Sequence, residues 1–423
     1  MAKDQKTVFV YDDFSSDTPV LMGRLYVSTI KGTESYSFEY DTAWLKNTGL
    51  TMSLDPDLMP FPGRQYPSGK SLFGMFSDAS PDRWGRILMN KRERIRASEE
   101  GRKPSKLYDS DYLLGVYDET RMGGLRFRTD PAGPFLSDDK IAAAPPWTSL
   151  RTLEESSRKF ENDETSLSEK WIKQLIVPGS SLGGARPKAT VMDTKGQLWI
   201  AKFPSKNDEN NTGAWEMTVH DLALLCGLNV PDAKLERFSS LGSTFLIKRF
   251  DRQGIKRIHF ASAMSLLGKT DGASAADGSS YLDIAAFIKS YGIQPKKDLL
   301  ELWKRIVFNM AVTNTDDHLR NHAFILSDKG WMLSPLYDVN PVPYGNELSL
   351  NVDEEDNSID IKLAIQTAKR FEIEESKAKA YAEEILKTIK DNWERLAECH
   401  GVTHRQIEEM RPAFNACYEY NVF

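Results

Sequence analysis

The chain has 423 residues, a net charge of −6, 40% apolar residues and 27% charged residues. These fractions are close to those of soluble globular proteins, so they exclude a largely disordered or collagen-like chain. The length predicts roughly two to three structural units. The negative charge argues against a protein that coats nucleic acid with its whole surface, because such binding needs clustered Lys and Arg.

The apolar runs, the opening residues and the cysteines of the sequence indicate the cellular compartment. No apolar run approaches the roughly 18 residues that a membrane helix needs, and the opening MAKDQK lacks the apolar stretch of a secretory signal. Cys226, Cys399 and Cys417 lie far apart and form no C-x-x-C pair. We therefore expect a cytoplasmic protein with reduced cysteines.

The amino-terminal part is predicted to be rich in strands, at residues 7–11, 20–27 and 35–40. A helix is predicted to follow, with Ser80 as its cap and Pro81 at its first position. Its basic side extends from residue 83 to residue 106 and comprises Arg83, Arg86, Lys91, Arg92, Arg94, Arg96, Arg102, Lys103 and Lys106. This patch is interpreted either as a solvated face or as a surface that contacts an acidic partner or phosphates, including those of DNA.

The middle of the chain alternates strands and helices. A Pro- and Ala-rich stretch at 131–146 predicts a boundary. After it come a glycine run at 178–188, strands at 188–192 and 197–203, a helix at 214–226 and a strand at 244–250. This order suits the upper lobe of a kinase. From about residue 280 the chain is predicted to be mainly helical, with a buried helix that ends near residue 311.

The segment that follows this buried helix carries the strongest functional pattern, TNTDDHLRNH at 313–322. Phosphoryl transfer needs a carboxylate at the attacking hydroxyl and oxygen ligands for Mg²⁺, which kinases supply as Asp-x-x-x-x-Asn and a later Asp. Asp316 and Asn321 have that spacing, and Asp338 follows a short predicted hairpin. Taken singly these residues also suit turns and helix caps. Together they predict Asp316 as the base and Asn321 and Asp338 as metal ligands.

A nucleotide site is predicted from residues upstream. Glycines allow backbone N–H groups to approach phosphate oxygens, although the run matches neither the Walker template nor G-x-G-x-x-G and also suits a plain turn. Lys202 occupies the place of a strand lysine at the α- and β-phosphates, and Glu216 that of its helical partner. The predicted nucleotide-binding set is Ser181, Leu182, Gly183, Gly184, Ala185, Lys188, Lys202, Glu216 and His318.

A different enzyme class stays open as an alternative. His318 and His322 are four residues apart, which on a helix would present both rings to one Zn²⁺, as in a metal-dependent phosphohydrolase. The four remaining histidines of the chain form no second cluster in the sequence, and the loop context disfavours helical spacing.

Five segments in order, SLGGARPK (181–188), IAKFP (200–204), RFDR (249–252), TDDHLRN (315–321) and PLYDV (335–339), resemble those of HipA toxins. The likeness extends to GRL (23–25) and FGMFSD (73–78) near the amino terminus. The resemblance implies an α+β, two-lobed, protein-kinase-like fold. We expect a β-rich subdomain at 1–130, the kinase upper lobe with its Gly-rich loop at 147–255 and a mainly helical lobe at 256–423.

The resemblance also implies an activity and partners. It implies a serine/threonine kinase toxin that uses ATP and Mg²⁺, is paired with a HipB-like DNA-binding antitoxin and has a protein substrate such as an aminoacyl-tRNA synthetase. Lys248, Arg249 and Phe250 would form the hinge beside adenine, and Asp251 would reach the ribose. Autophosphorylation is implied at Ser181, with Ser180 as the neighbouring candidate, and the added charge would silence the enzyme.

Two departures from the family pattern concern the glycine run. Pro187 removes a backbone donor, and Arg186 places bulk where other members often carry a polar side chain. A non-catalytic, kinase-like co-repressor that works with an antitoxin on DNA is the alternative from another functional class. The Asp316, Asn321 and Asp338 set argues against that alternative.

Overall fold

The computed structural model of the chain describes residues 4–49, 52–138, 145–162, 175, 184 and 186–420. The chain divides into two compact units. The first unit consists of Met1–Lys206, Lys248–Ala261 and Ile325–Asp328, and the second of Asn207–Ile247, Ser262–Phe324 and Lys329–Phe423. The mixed class is as expected, with strands prominent near the amino terminus and helices towards the carboxyl terminus. The domain boundaries predicted from the sequence stay predictions.

The first unit opens with an antiparallel sheet, as the strand pattern predicts. Its four strands run in the order Thr33–Tyr40, Val20–Ile30, Asp4–Asp12 and Leu125–Arg128. Side chains of a strand point alternately to the two faces, so Val8 and Val10 share one face, and both are fully buried. The sheet therefore covers a core of its own.

The other elements of this unit are short, apart from one helix. The helices are Thr42–Asn47, Gly74–Asp78, Arg83–Glu99, Asp109–Gly115 and Leu150–Glu161, with 3-10 turns at Asp118–Thr120 and Trp147–Ser149. Lys188–Met192 pairs with Leu198–Lys202, and Arg252–Gln253 pairs with Lys256–Arg257. In the first of these hairpins, Lys188 lies opposite Lys202.

The predicted start of the basic helix is wrong by two residues. Helix Arg83–Glu99 is capped by Asp82, whose carboxylate accepts the backbone N–H of Gly85 at 2.8 Å. The Ser80 hydroxyl donates instead to the carbonyl of Phe76 at 2.8 Å, because it closes the preceding short helix. Pro81 therefore lies before the helix, and Asp82 satisfies a free N–H of the first turn.

The second unit is mainly helical. Its helices are Thr212–Leu225, Ala263–Leu266, Tyr281–Tyr291, Pro295–Ala311, Ile361–Gln366, Glu375–Cys399, His404–Met410 and Ala416–Glu419, with 3-10 turns at Ala275–Asp277, Ala368–Phe371 and Arg411–Phe414. Strand Ala233–Glu236 pairs with Thr244–Lys248. Strand Gly330–Leu333 also belongs to this unit, whereas strands Phe260–Ser262 and Ala323–Ser327 each include residues assigned to both units. Trp215, Trp393 and Phe414 stack in its core, with the Trp393 and Phe414 rings 4.3 Å apart.

Helix Pro295–Ala311 supports the segment that carries the predicted site. Trp303 and Ile306 on this helix are fully buried, as its apolar pattern predicts. Asp298 accepts the backbone N–H of Leu333 at 3.1 Å, and the guanidinium of Arg305 donates to the Ser334 carbonyl at 2.8 Å. One helix therefore leads into the 313–322 loop and also holds the strand end that leads to Asp338.

Across the residues that the structure describes, no helix combines the length and the apolar composition needed to cross a membrane.

Replacing Arg305 by Met tests this support. Its buried guanidinium also contacts Glu301 at 2.8 Å, so the change leaves a carboxylate and the Ser334 carbonyl without their donor. We expect the free energy of unfolding to fall by about 2–4 kcal/mol in urea denaturation. Lys296→Met on the exposed side of the same helix should change it by less than about 0.5 kcal/mol. Equal losses for the two variants would contradict the supporting role of Arg305.

Candidate functional site

The residues from Thr313 to His322, here called the acidic loop, connect the supporting helix to strand Ala323–Ser327. Thr313 has a φ of 50°, an unusual value for a β-branched residue. Its hydroxyl donates to the Ala413 carbonyl at 2.7 Å, and its own carbonyl accepts from Val342 at 3.1 Å. These bonds hold the loop at the point where it leaves the helix.

Asp316 and Asn321, at opposite ends of the Asp-x-x-x-x-Asn pattern, are brought together. Asn321 donates its side-chain N–H to the backbone carbonyl of Asp316 at 2.9 Å, and the same carbonyl accepts from the backbone of His318. The loop thus forms a tight turn, with the Asp316 residue exposed. The Asn321 residue is buried, and its Oδ1 atom has no hydrogen-bond partner among the described residues.

Asp338 lies close enough to Asp316 to influence its charge. Loss of hydration raises the pKa of Asp316, the nearby His318 lowers it, and the negative charges of Asp338 and Asp317 raise it further. The net effect is a pKa above the ordinary value. Asp338 itself has a φ of 60°, a left-handed backbone that non-glycine residues seldom adopt. The structure therefore brings together the two acidic residues whose separation the sequence left open.

The segment after Asp338 packs on the acidic loop. Asn340 donates its backbone N–H to the side chain of Asn314 at 3.3 Å. A Cβ atom on Gly345 would lie 2.1 Å from the Thr315 methyl carbon, so only glycine fits there without movement. The two stretches that carry the acidic residues are consequently in direct contact.

Asp317 is the buried member of the acidic pair. Its Oδ2 atom accepts from the Tyr281 hydroxyl at 2.6 Å and from the Asn309 amide at 2.6 Å, and it contacts His322 Nε2 at 2.8 Å. Burial alone would raise the pKa of Asp317, but attraction to His322 and these hydrogen bonds outweigh it and lower the pKa. Asp317 is therefore held as a carboxylate.

The geometry does not favour the two-histidine zinc site. The 318–322 stretch is not helical, and His322 Nε2 is already engaged with the Asp317 carboxylate. Within the described part of the chain, no group of three or more His, Cys, Asp and Glu residues is arranged to hold a metal ion. His318 remains beside Asp316, where its charge acts on the pKa of that residue.

Part of the predicted nucleotide loop lies outside the described residues, namely Ser180, Ser181, Leu182, Gly183 and Ala185. Gly184 is described and has a φ of 38°. Lys188 is buried, and its ammonium contacts the Asp82 carboxylate at 2.9 Å and the Gly184 carbonyl at 3.1 Å. A phosphate-binding role for Lys188 stays a prediction. A bound phosphate would compete for the Lys188 ammonium with Asp82, the cap residue of helix Arg83–Glu99.

Lys202 and Glu216 are both buried, the first on strand Leu198–Lys202 and the second on helix Thr212–Leu225. Lys202 belongs to the first unit and Glu216 to the second. Glu216 lines a small pocket of about 20 Å³ in the second unit, together with Asp338 and apolar side chains such as Val219 and Phe245. The expected Lys202–Glu216 pair stays a prediction.

The predicted hinge residues occupy a dense polar cluster in the first unit. Asp251 is fully buried and accepts from Arg249 at 2.6 Å, from Arg252 at 2.6 Å and from the Gly123 backbone at 2.8 Å. Burial raises its pKa, but the two guanidinium charges outweigh burial and bring the pKa below the ordinary value. Phe250 lies 6.2 Å from the Phe260 ring, and Lys248 ends its strand. A ribose contact would therefore compete with the donors that Asp251 already has.

The basic patch at residues 83 to 106 is partly neutralised within the first unit. Arg86 pairs with Asp109 at 3.0 Å, and Arg96 pairs with Glu100 at 2.7 Å. Arg102 contacts Glu93 and Glu100, each at 2.5 Å. These internal pairs reduce the positive charge that the sequence alone suggests, and contact with phosphates stays a prediction.

Residues that the kinase pattern did not single out complete the surroundings of the acidic loop. They are Tyr281, Asn309, Asn314 and Asn340, together with the buried role of Asp317. A polar Asn309 among the apolar residues that end this helix is a usable signal, because a buried amide needs partners. Tyr281 carries no comparable signal, since an aromatic residue at a helix start reads as ordinary core.

The charge coupling between Asp316 and Asp338 yields a measurable prediction. Because the negative charge of Asp338 raises the pKa of Asp316, Asp338→Asn should lower that pKa, as followed by carboxyl ¹³C NMR of Asp-labelled protein. Asp391→Asn, which removes the same charge from an exposed helix position, should leave it unchanged. An unaltered Asp316 titration in Asp338→Asn would show that the two carboxylates are not neighbours in solution.

Comparison with known proteins places this geometry in a family. The model described as HipA-like C-terminal domain matches residues 180–393, slightly more than half of the chain, and the HipA N-terminal domain matches residues 19–103. The solved complex of HipA, HipB and operator DNA from Shewanella oneidensis MR-1 contains a similar chain, with a TM-score of 0.69 and 16% identity. The similarity covers 98% of this chain and 97% of that chain, and it shows a shared fold.

Two Sinorhizobium fredii proteins are similar over a shorter stretch. "Putative kinase Y4mE" is 30% identical over 183 residues, covering 38% of this chain, and "Putative kinase Y4dM" is 26% identical over 184 residues, covering 40%. The match spans 41% of the length of each of these curated relatives. With one family model over its amino-terminal part and another over the acidic loop and Asp338, the chain belongs to the HipA-like family.

Proposed function

We propose that this chain is an ATP-dependent protein serine/threonine kinase that acts as a HipA-type toxin. One observation carries the proposal: the charges of Asp316 and Asp338 interact while the Asn321 amide is hydrogen-bonded to the Asp316 backbone. Carboxylate, amide and second carboxylate are the groups that kinases use at the transferred phosphoryl group. Family membership supports the proposal independently.

Asp316 is the proposed base. It lies on the exposed side of the acidic loop, where an acceptor hydroxyl has access. A carboxylate in this position orients the hydroxyl and accepts its proton as the phosphoryl group transfers. Its raised pKa makes it a stronger base than an ordinary Asp.

Asn321 and Asp338 would hold the magnesium ion. The donor set fits, because Mg²⁺ prefers carboxylate and amide oxygens, and Asn321 Oδ1 has no competing donor among the described residues. When bound, Mg²⁺ neutralises charge on the β- and γ-phosphates. For the nucleotide we propose the glycine loop, Lys202 with Glu216, and His318, with the hinge at 248–250 beside adenine.

The finer parts of the proposal concern substrate and partners. We propose autophosphorylation at Ser181, a protein substrate such as an aminoacyl-tRNA synthetase, and a HipB-like antitoxin that brings the chain to DNA. The Shewanella oneidensis structure, which contains HipA, HipB and operator DNA, supports the choice of partner. A direct DNA contact through the basic patch would draw on its arginines, Arg83 and Arg94 among them, because such contacts neutralise phosphates.

The test is transfer of the labelled γ-phosphate of ATP to the chain itself and to proteins of a cell extract. Asp316→Gln should lower the rate by about 10²–10⁴-fold, because it removes the base. Asp338→Asn should reduce transfer similarly and raise the Mg²⁺ requirement. Asp391→Asn serves as the matched control and should retain the wild-type rate.

Two outcomes would contradict the proposal. Transfer that survives both active-site substitutions would remove the roles of Asp316 and Asp338. A chain that binds an antitoxin and DNA but transfers no phosphate would instead support the non-catalytic co-repressor.

A further inference from the structure

We propose that Asp317 is a positioning residue that, through a relay of Asn309 and Asn314, fixes the spacing between Asp316 and Asp338. The inference rests on the proposed kinase function and deepens it. The hydrogen bonds of the Asp317 side chain go to Tyr281, Asn309 and His322. It acts through the backbone that carries them.

The first part of the device is an anchor beneath the acidic loop. Asp317 is 1% exposed, and its partners Tyr281, Asn309 and His322 are each 0% exposed. The three partners come from helix Tyr281–Tyr291, from the supporting helix and from the far end of the loop, and all meet at one carboxylate oxygen. A buried carboxylate with such donors moves only at a high free-energy cost, because displacement would leave its charge uncompensated. The residue next to it in sequence, Asp316, is fixed accordingly.

The second part is the relay that reaches the Asp338 segment. Asn309 donates its side-chain N–H to Asp317, and the Oδ1 atom of Asn309 accepts from the Asn314 side chain at 3.1 Å. The Oδ1 atom of Asn314 in turn accepts from the Asn340 backbone at 3.3 Å, two residues beyond Asp338. The side-chain amides of Asn309 and Asn314 thus each donate one hydrogen bond towards Asp317 and accept one from the direction of Asn340. The chain of hydrogen bonds is continuous from the Asp317 anchor to the Asn340 backbone, in the segment that carries Asp338.

The backbone at both ends needs such restraint. Thr313 and Asp338 have φ values of 50° and 60°, conformations that persist only where surrounding contacts hold them. Asn314 follows the first of these positions, and Asn340 lies close behind the second. Loss of the relay would let both segments relax, and displacement of a reacting group by about 1 Å can cost about 10²-fold in rate.

The relay is tested with Asn309→Ala, Asn314→Ala and the double variant. Each single change should lower kcat for phosphate transfer by about 30- to 100-fold. Because both residues belong to one chain of bonds, the double variant should lose about as much as one single variant. Asn351→Ala is the matched control: this buried asparagine of the same unit donates to the Ala275 carbonyl and should keep kcat within about threefold. Losses that multiply in the double variant would overturn the relay.

A further measurement separates positioning from loss of folding. Mn²⁺–ATP affinity, measured by water proton relaxation without turnover, should fall about tenfold or more in Asn314→Ala while its thermal unfolding matches that of Asn351→Ala. Unchanged Mn²⁺–ATP affinity would overturn the proposal.

The relaxation measurement also distinguishes the two proposals. If the wild-type chain binds Mn²⁺–ATP but transfers no phosphate, the proposed function fails, and the affinity of Asn314→Ala still decides the positioning role.

Discussion

One buried carboxylate organises the second unit around the acidic loop. Three donors from three different elements converge on Asp317 Oδ2 within 2.8 Å. A lone carboxylate in such a place would be protonated or expelled, since burial penalises its charge. The hydrogen bonds reverse that preference and keep the charge, so the loop is tied to the surrounding helices by an interaction that is costly to break.

The neighbouring carboxylate has the opposite environment. Asp316 is exposed and is close enough to Asp338 and Asp317 for their negative charges to raise its pKa. Two adjacent residues of the same type thus have pKa values displaced in opposite directions. Such a separation is typical of sites where one acid holds the structure and the other handles a proton.

The supporting helix connects these features to the rest of the unit. Pro295–Ala311 is packed on both sides, and its polar side chains are used at defined places: Asp298 and Arg305 hold the strand end before Asp338, and Asn309 holds the loop. Buried polar groups are retained only where they find partners. Because Asp298, Arg305 and Asn309 lie on one face, a mainly apolar helix can position two segments that are separated in the sequence.

Much of this arrangement was predictable from local signals in the sequence. Alternating apolar residues predicted the first three strands, and apolar residues on more than one face predicted the buried helix. The Asp-x-x-x-x-Asn spacing predicted that Asp316 and Asn321 belong to one site, and in the structure Asn321 donates to the Asp316 carbonyl. The local signals gave the wrong start for the helix after Pro81. Ser80 and Asp82 are both suitable cap residues, and in the folded chain Asp82 caps the helix while Ser80 bonds to Phe76.

By itself the sequence determined the elements, the family pattern and the identity of the acidic residues, because these depend on neighbours along the chain. Only the tertiary structure decided that Asp317 is buried and Asp316 exposed, that Lys188 binds the cap at Asp82, and that Asn314 meets the segment after Asp338. Those outcomes depend on which distant groups share a buried volume, since hydration and hydrogen-bond partners set the charge of each residue there.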